Sequence, residues 1–207
     1  MLELDHVIVA VRDLAAAAAR FERDYGLASV EGGRHRGLGT GNLIVPLGSS
    51  YVELMAIVDE DEVEGSAFAE LVLRTLADGD RLGGVCLRTD DVSSIAHRLG
   101  TPAAPNGRVR PDGSELRWEL AGLEQTLHDP SLPFFIQWHA RPEELPGATE
   151  VDHPSGATGI AWVEIGIDEQ ALRDRVGEPI HALRAVGGGG GVRRVGIAAP
   201  GGEIVLD

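Results

Sequence analysis

The first segment of the chain that contains a candidate functional residue contains a histidine. Residues 4–14 read LDHVIVAVRDL, an apolar run typical of a buried β-strand. Side chains alternate between the two faces of a strand, so His6, Ile8 and Ala10 share one face and the valines at 7, 9 and 11 share the other. One face of a core strand must therefore carry an imidazole, and the question is what this group binds.

The basic and sulfur-containing residues exclude several kinds of chemistry. All 18 basic residues are arginine, so a lysine Schiff base and a phosphate-loop lysine are excluded. Cys86 is the only cysteine, so the chain has neither an internal disulfide nor a thiolate zinc cage. A serine-nucleophile elbow and a helical His-Glu-x-x-His element are also absent from the sequence, which removes support for hydrolases of those types.

The composition predicts a cytoplasmic protein that folds on its own. A chain of 207 residues with 43% apolar content is long enough for a packed core. Its net charge of −15 at pH 7 would repel a nucleic acid. The single cysteine suits a reducing compartment, and the sequence has neither a signal-peptide pattern nor the ~20 apolar residues of a membrane span. We therefore expect no nucleic-acid partner and no membrane partner.

The first 58 residues predict a β-α-β-β-β unit. Asp13 is suited to cap a helix that follows the opening strand, and Gly26 is suited to end it. Three short strands follow, separated by glycine-rich turns, at residues 28–35, 41–47 and 50–57. We take residues 1–58 as the first module.

The same pattern returns later in the chain. Residues 81–139 repeat it at a constant offset, so that Val85 corresponds to Val7 and Asp91 to Asp13. We take this range as the second module. The remaining segments are interpreted as a bridging helix, a polar linker and a third, degenerate βαβββ module, at 59–80, 140–156 and 157–207.

The opening repeat resembles that of a known superfamily. Its start LDHVIVAVRDL, its end YVELMA and the segments GGRH, GTGN and PLG between them look like the vicinal oxygen chelate superfamily, and more narrowly like glyoxalase-like domain proteins. The resemblance implies an α+β fold in which repeated βαβββ modules form a cupped mixed β-sheet with helices on the outside. It also implies a divalent metal in the cup, the concave side of that sheet, with ligands from the first and fourth strands of each module.

Carried over onto this sequence, the resemblance makes His6 and Glu53 the catalytic pair and the metal ligands of the first module. In the second module Gly84 and Gln137 stand at the corresponding positions. A site of His6, Glu53 and Gln137, completed by water, would hold a divalent ion such as Zn, Mn, Fe, Ni or Mg. The alternative is that no metal is bound and that His6 and Glu53 hydrogen-bond each other in a ligand pocket.

Six more residues are candidates for ligand binding: His35, Asn42, Tyr51, Arg88, Trp118 and Trp138. Tyr51 shares a strand face with Glu53. The two tryptophans could stack on a planar substrate or fill the apolar face of the sheet. Arg88 could meet an anionic group or pair with a carboxylate, and a hairpin histidine such as His35 could equally be exposed.

Two functions remain open at this point. The first is a metal-assisted lyase, isomerase or dioxygenase that acts on a small oxygenated molecule. The second is a metal-free protein that binds or sequesters a small molecule, with the negative net charge favouring a cationic ligand. A lone third module would leave a sheet edge and an apolar face unsatisfied, so we expect it to pack on the first two or to form a homodimer.

Overall fold

The N-terminal part of the chain forms one helix and four strands. A computed structural model describes residues 1–207, apart from the side chain of Asp78. The elements of the first module are β1 (Glu3–Ala10), α1 (Leu14–Tyr25), β2 (Val30–His35), β3 (Thr40–Leu47) and β4 (Ser50–Ile57). Helix α1 begins where the Asp13 side chain accepts a hydrogen bond from Ala16 N, and it ends at Gly26. Gly26 has a φ of 62°, a left-handed conformation that glycine adopts without strain.

The second module repeats this order and adds a helix. Its elements are β5 (Arg81–Arg88), α3 (Val92–Leu99), β6 (Ala104–Val109), β7 (Glu115–Ala121), α4 (Leu123–His128) and β8 (Phe134–Trp138). Asp91 caps α3 by accepting a hydrogen bond from Ser94 N, and Gly100 ends it at a φ of 65°. Helix α3 therefore has the same start and stop signals as α1.

The two modules together close a barrel of eight strands. The strand order is β1-β4-β3-β2-β6-β7-β8-β5. In each module the first strand pairs in parallel with the fourth, β1 with β4 and β5 with β8. The modules join where β1 runs antiparallel to β5 and β2 antiparallel to β6. This curled mixed sheet with its five helices confirms the predicted α+β fold.

Alternation along the strands separates an outer core from the barrel interior. Val7 and Val85 lie in the outer core, whereas Ile8 faces inward. The bridging helix α2 (Ala67–Thr75) packs with α4 against the interior residues, with Phe68 among its buried side chains. The interior of the barrel is thus the predicted cup, and α2 and α4 cover part of it.

Residues 157–207 form a separate small sheet. Its elements are β9 (Gly159–Ile165), α5 (Glu169–Val176), β10 (Leu183–Ala185), β11 (Val192–Ala198) and β12 (Ile204–Leu206). The strand order is β10-β9-β11-β12, with β9 parallel to β10. A module of the barrel pairs its first strand in parallel with its fourth, whereas here the first strand, β9, pairs in parallel with the second, β10. The segment repeats the element order of a module and not its strand pairing, which corrects its interpretation as a third copy.

The C-terminal sheet packs on the outside of the barrel. Val163 on β9 and Val195 on β11 are fully buried, and they belong to the same core as Val7 and Val85. Of the two arrangements expected for this unit, packing on the rest of its own chain is the one present. A homodimer formed through it stays a prediction.

The helices of the chain are short. The longest, α1, has 12 residues. Within the described part of the chain, no helix combines the length and apolar character required to cross a bilayer. The cytoplasmic location and the lack of nucleic-acid and membrane partners stay predictions.

Candidate functional site

A bulge in β1 turns two neighbouring polar residues into the protein. The pairing of β1 with β5 shifts its register between Leu4 and His6, so Asp5 departs from the regular alternation. Asp5 and His6 are both buried, and Asp5 Oδ1 lies 2.7 Å from His6 Nδ1. Because an ionised carboxylate only accepts hydrogen bonds, Asp5 holds a proton on Nδ1 and leaves Nε2 directed toward the cup.

The parallel pairing of β1 with β4 brings Glu53 to His6. The Cα partners are His6 with Tyr51 and Ile8 with Glu53. His6 Nε2 lies 3.4 Å from Glu53 Oε2, and the two side chains are 4% and 6% exposed. The Tyr51 ring stacks on the imidazole, with 4.7 Å between the ring centroids. The structure therefore places the predicted pair of His6 and Glu53 in one buried concavity.

The contact between His6 Nε2 and Glu53 Oε2 is attractive when a proton lies on one of the two groups. When Nδ1–H is donated to Asp5, Nε2 presents a lone pair to the Glu53 oxygen, and two acceptors attract each other only with a proton between them. Either the imidazole or the carboxyl group can carry this proton. The series Asp5, His6 and Glu53 can thus hold one transferable proton beside the cup.

Asn42 and Arg108 extend the polar series. Asn42 Nδ2 donates to Glu53 Oε1, and Asn42 Oδ1 accepts from Arg108 Nη1 at 2.8 Å. Arg108 is 7% exposed, and burial lowers the pKa of its guanidinium. Gly32 leaves room for this bond, because a Cβ at position 32 would overlap Asn42 Oδ1 and Arg108 Nη1. The Glu53 carboxylate, the Asn42 amide and the Arg108 guanidinium therefore follow one another along one wall of the cup.

His35 is a buried, neutral member of the site. Its Nδ1 lies 2.9 Å from Thr40 Oγ1, and its ring stacks on Phe68 with 5.5 Å between centroids. Burial lowers the pKa of His35 to about 4, because the charged imidazolium would lose its hydration. At neutral pH His35 is therefore an uncharged hydrogen-bonding group, and it is not exposed.

The two tryptophans form an aromatic wall on the second module. Their rings meet edge to face, with 5.2 Å between centroids. Trp138 Nε1 donates to Asp5 Oδ2 at 2.9 Å, which fixes the second oxygen of that carboxylate. Trp118 Nε1 is buried and has no hydrogen-bond partner among the described groups. An unpaired buried donor is costly, so the indole N–H of Trp118 is available to an acceptor atom that enters the cup.

These groups line one small cavity of about 20 Å³, room for a water molecule or two. The lining residues come from both modules, from α2 and from a 3₁₀ turn in the linker: His6, His35, Asn42, Tyr51, Glu53, Phe68, Arg108, Trp118, Leu120, Phe134, Ile136, Trp138 and Pro146. Seven of the predicted site residues are among them.

Gln137 and Arg88 do not line the cup. Gln137 supplies no ligand there, and Arg88 pairs with carboxylates, which is one of its two expected roles; its Nη1 lies 3.6 Å from Asp5 Oδ2. Side chains alternate along β8, so Ile136 and Trp138 face inward while Gln137 faces outward. Gln137 Oε1 accepts a hydrogen bond from Val92 N at the start of α3. Arg88 stands at the end of β5, where its guanidinium binds the carboxylate of Glu3 and the Ser49 carbonyl oxygen.

Asp5, Arg108 and Phe68 are among the residues of the site that the sequence analysis misses. Asp5 lies on the outward face if β1 alternates strictly, so only the bulge reveals it. Arg108 belongs to a hairpin strand whose partner across the barrel, β2, is distant in sequence. Phe68 reads as an ordinary core residue of a helix. The glycine pair at 32 and 33 is a signal for close approach of another group, and Arg108 supplies that group.

The ligand set for a divalent metal is incomplete. Asp5, His6 and Cys86 form a potential site, because their donor atoms all lie within 4.8 Å of one another. However, an ion there would have to replace the proton between Nδ1 and Asp5, and burial raises the pKa of the Cys86 thiol. On the other side of the imidazole, His6 and Glu53 supply two donors, and Gln137 adds none. The residues do not form the three-ligand site that the sequence predicts.

Comparison with known proteins gives a family and a fold. The family model for the glyoxalase-like domain matches residues 4–178. A crystal structure of a hypothetical protein from Staphylococcus aureus is similar with a TM-score of 0.66 and 16% identity, over 99% of this chain and 84% of that one. No curated protein matches the sequence.

Methylmalonyl-CoA epimerases are among the more distant structural neighbours. An epimerase variant from Streptomyces coelicolor in complex with 2-nitronate-propionyl-CoA has a TM-score of 0.47 and 19% identity, over 67% of this chain and 95% of that one. The Mycobacterium tuberculosis enzyme has a TM-score of 0.45 and 20% identity, over 68% and 89%.

The likeness to the Staphylococcus aureus protein concerns the fold alone, because the identity is low. The family match spans both barrel modules and extends past α5. It agrees with the resemblance carried by the opening repeat. The chain belongs to the glyoxalase-like domain family.

Proposed function

We propose that the cup binds a small oxygenated molecule and that Glu53 removes a proton from the carbon next to its carbonyl group, as in an isomerase or lyase. One observation carries the proposal: a buried carboxylate lies 3.4 Å from an imidazole nitrogen and faces the same cavity as the unpaired indole N–H of Trp118. An unpaired buried donor costs about 1–3 kcal/mol. A ligand oxygen that accepts from Trp118 Nε1 would remove this cost.

The proposed step is a proton transfer in which atoms and charges balance. The C–H bond breaks and its proton goes to Glu53 Oε2; the C–H electron pair forms a C=C bond while the carbonyl π pair moves onto oxygen, which gives an enolate. In a hydroxy-carbonyl compound the hydroxyl proton moves to the enolate oxygen and Glu53 returns its proton to the former carbonyl carbon, which gives an isomer; loss of a β-leaving group with its electron pair gives a lyase product. The shared proton starts on His6 Nε2, and the Asp5 carboxylate at Nδ1 stabilises the resulting imidazolium, so Glu53 starts as a carboxylate.

The enolate oxygen needs a stabilising partner, and we assign Trp118 Nε1–H to that role. A divalent ion would supply Lewis-acid stabilisation when bound. His6 and Glu53 offer only two metal-ligand atoms at the cup, so the proposed proton transfer is written without an ion. Metal assistance, and the dioxygenase activity that would require it, are tested as separate arms of the experiment.

The experiment measures exchange of carbon-bound hydrogen in D₂O by proton NMR. The probes are pyruvate, glycolaldehyde and dihydroxyacetone, which carry exchangeable hydrogens next to a carbonyl group. We expect the wild-type protein to accelerate exchange in at least one probe and Glu53→Gln to slow it about 100-fold, because the amide cannot accept the proton. The matched control is Glu31→Gln, an exposed residue of β2, which should match wild type.

The metal arms repeat this measurement with chelator and with added Zn²⁺, Mn²⁺, Fe²⁺, Ni²⁺ or Mg²⁺. Exchange that is unchanged under chelation supports the metal-free mechanism. Exchange that appears only with an ion, at about one ion per chain by elemental analysis, would assign His6 and Glu53 as ligands instead. No exchange in any probe under any of these conditions would contradict the proposal.

A binding protein without catalysis is the second candidate. It is favoured by the second module, where Phe134 and Ile136 occupy inward positions and Gly84 offers no side chain. A probe that stabilises the wild-type protein and the Glu53→Gln variant equally, with no exchange in either, would support this function over the first.

A further inference from the structure

We infer that the cup selects molecules that carry a carboxylate, and that Arg108 binds this group. The inference rests on the proposed function, since it concerns the same cavity. It names the substrate class as small oxygenated acids, such as 2-oxo or 2-hydroxy acids, and it makes Arg108 the residue that determines specificity.

Arg108 is a buried cation without a buried anion in contact. Its one hydrogen bond goes from Nη1 to the neutral amide of Asn42. Among the described residues, no aspartate or glutamate forms an ion pair with it, and Nε and Nη2 donate to no described protein group. The guanidinium reaches the Glu53 carboxylate only across Asn42 and touches no opposite charge directly, so an anion at this side chain would gain a direct partner.

The backbone around Arg108 is built to admit its guanidinium. A Cβ at Gly32 would overlap Arg108 Nη1, and Gly32 has no left-handed φ, so glycine is needed here for space. The planar fork of arginine matches the two oxygens of a carboxylate. Arg108 therefore occupies a prepared position and is not a surface side chain folded inward.

The position of Arg108 relative to the other groups suits an acid. In the pairing of β6 with β7, Arg108 is opposite Leu116 and Asn106 is opposite Trp118, so Arg108 and Trp118 are diagonal neighbours that face the cup. A carboxylate at the guanidinium would present its adjacent carbonyl or hydroxyl oxygen to the indole N–H. Asn42 joins Arg108 to Glu53, so the base lies one amide group from the anion site.

The local charge outweighs the net charge of the protein in this cavity. A net charge of −15 favours cations in general, but surface charges are screened over ~8 Å at physiological salt. Inside the cup, His35 is neutral at pH 7 and the Asp5 and Glu53 carboxylates lie against His6. Arg108 is a permanent cation whose hydrogen bond goes to a neutral amide. A cationic ligand, expected from composition, would meet Arg108 unfavourably.

The experiment compares glycolate with its neutral isostere glycolamide. Both are small molecules of the same shape, and they differ only in that one carries a carboxylate and the other an amide. Their affinities are measured by NMR titration against wild type, Arg108→Met and Arg108→Lys. The control is Arg117→Met, which removes an exposed arginine of the neighbouring strand that pairs with Glu115. Circular dichroism checks the fold of each variant.

We expect wild type to bind glycolate about tenfold or more tightly than glycolamide, because a charged pair of hydrogen bonds is lost with the amide. Arg108→Met should remove this preference, and Arg108→Lys should keep part of it. Arg117→Met should keep all of it. The wild-type comparison needs no variant, so it decides the matter even if Arg108→Met does not fold.

Three results would overturn the inference: equal affinity for the two probes, no detectable binding of either, or a preference that Arg117→Met removes. The last would assign the anion to the outer groove of about 540 Å³ that Arg108 and Arg117 also line. Failure of the proposed function is a different result. If glycolate binds through Arg108 but no Glu53-dependent exchange is seen, the carboxylate site is supported and the proposed proton transfer is not. If dihydroxyacetone exchanges as fast as pyruvate, the proton transfer is supported and the selection of carboxylates is not.

Discussion

The two halves of the cup are built on the same element pattern and have opposite chemistry. The residues of the first module that line the cavity are polar: His6, His35, Asn42, Tyr51 and Glu53. Those of the second module are mostly apolar: Leu120, Phe134, Ile136, Trp118 and Trp138. Arg108 is the charged exception in the second half. Helix caps and strand alternation determine the backbone of a module, and its inward positions can diverge independently.

The clearest difference lies at the position that corresponds to His6. Gly84 has no side chain, and a Cβ there would lie 3.7 Å from Phe134 Cε1 and 3.8 Å from Thr126 Cγ2. The aromatic ring of Phe134 thus lies beside the position that a side chain at residue 84 would occupy. We therefore expect substitutions in the apolar half to change stability, and substitutions in the polar half to change binding and chemistry.

The largest effect on stability is expected from Phe134→Ala. Phe134 is fully buried, and its ring meets the His6 imidazole edge to face at 5.7 Å between centroids. Loss of the ring leaves a cavity inside the barrel and should lower the free energy of unfolding by about 3–5 kcal/mol. Denaturant unfolding followed by circular dichroism measures this change.

Glu53→Gln is the counterpart in the polar half. The amide keeps an oxygen for Asn42 and removes a buried charge, so its free energy of unfolding should stay within about 1 kcal/mol of wild type. A loss for Glu53→Gln as large as that for Phe134→Ala would remove the proposed division between the two halves.

A pH-dependent effect of the polar half is expected from His35. Its pKa is about 4 in the folded protein and ~6.5 in an unfolded chain. Between these values the unfolded chain binds the proton and the folded protein does not, so lowering the pH through this window destabilises the fold by about 3 kcal/mol. The stability that neutral His35 supplies is complete above pH ~6.5 and is lost by pH ~4.

The test compares wild type with His35→Gln across the window. The difference in free energy of unfolding between the two proteins should decrease by about 3 kcal/mol as the pH falls, because glutamine does not titrate. His97→Gln, at an exposed position of α3, should follow wild type at each pH. A constant difference between wild type and His35→Gln would mean that His35 is protonated in the folded protein.

Gly32→Ala should affect both stability and binding. The added methyl group would overlap Asn42 Oδ1 and Arg108 Nη1, so one of these side chains must move and a buried hydrogen bond is lost. We expect a loss of about 2 kcal/mol in the free energy of unfolding. The preference for glycolate over glycolamide should weaken as well. An unchanged preference in a destabilised variant would show that Arg108 does not depend on this space.

Much of the barrel can be predicted from the sequence because its signals are local. Asp13 with Gly26 and Asp91 with Gly100 mark two helices, and the alternation around His6 predicts which face of β1 is inward. The strand pairing of residues 157–207 cannot be predicted in this way, since the element order is compatible with more than one sheet.

The site is predictable only in part, for two physical reasons. A bulge moves Asp5 to the face of His6, and a bulge depends on the pairing of β1 with β5, not on the order of residues in β1. The resemblance puts Gln137 at the position of Glu53 in the second module, but the alternation of side chains along β8 puts Ile136 and Trp138 inward instead. An error of one residue in a strand exchanges its two faces.

The smallest effect is expected from Gly84→Ala, the matched variant to Gly32→Ala. Both glycines lie in barrel strands at ordinary φ, but a Cβ at Gly84 makes only normal van der Waals contacts, at 3.7 Å and beyond. Alanine is preferred over glycine in a strand interior by about 0.5–1 kcal/mol, so Gly84→Ala should leave stability unchanged or raise it slightly. Glycolate binding should be unaffected. If Gly84→Ala destabilised the protein as Gly32→Ala does, the glycine in the apolar half would be required for space too, and the difference between the halves would lie in their charges alone.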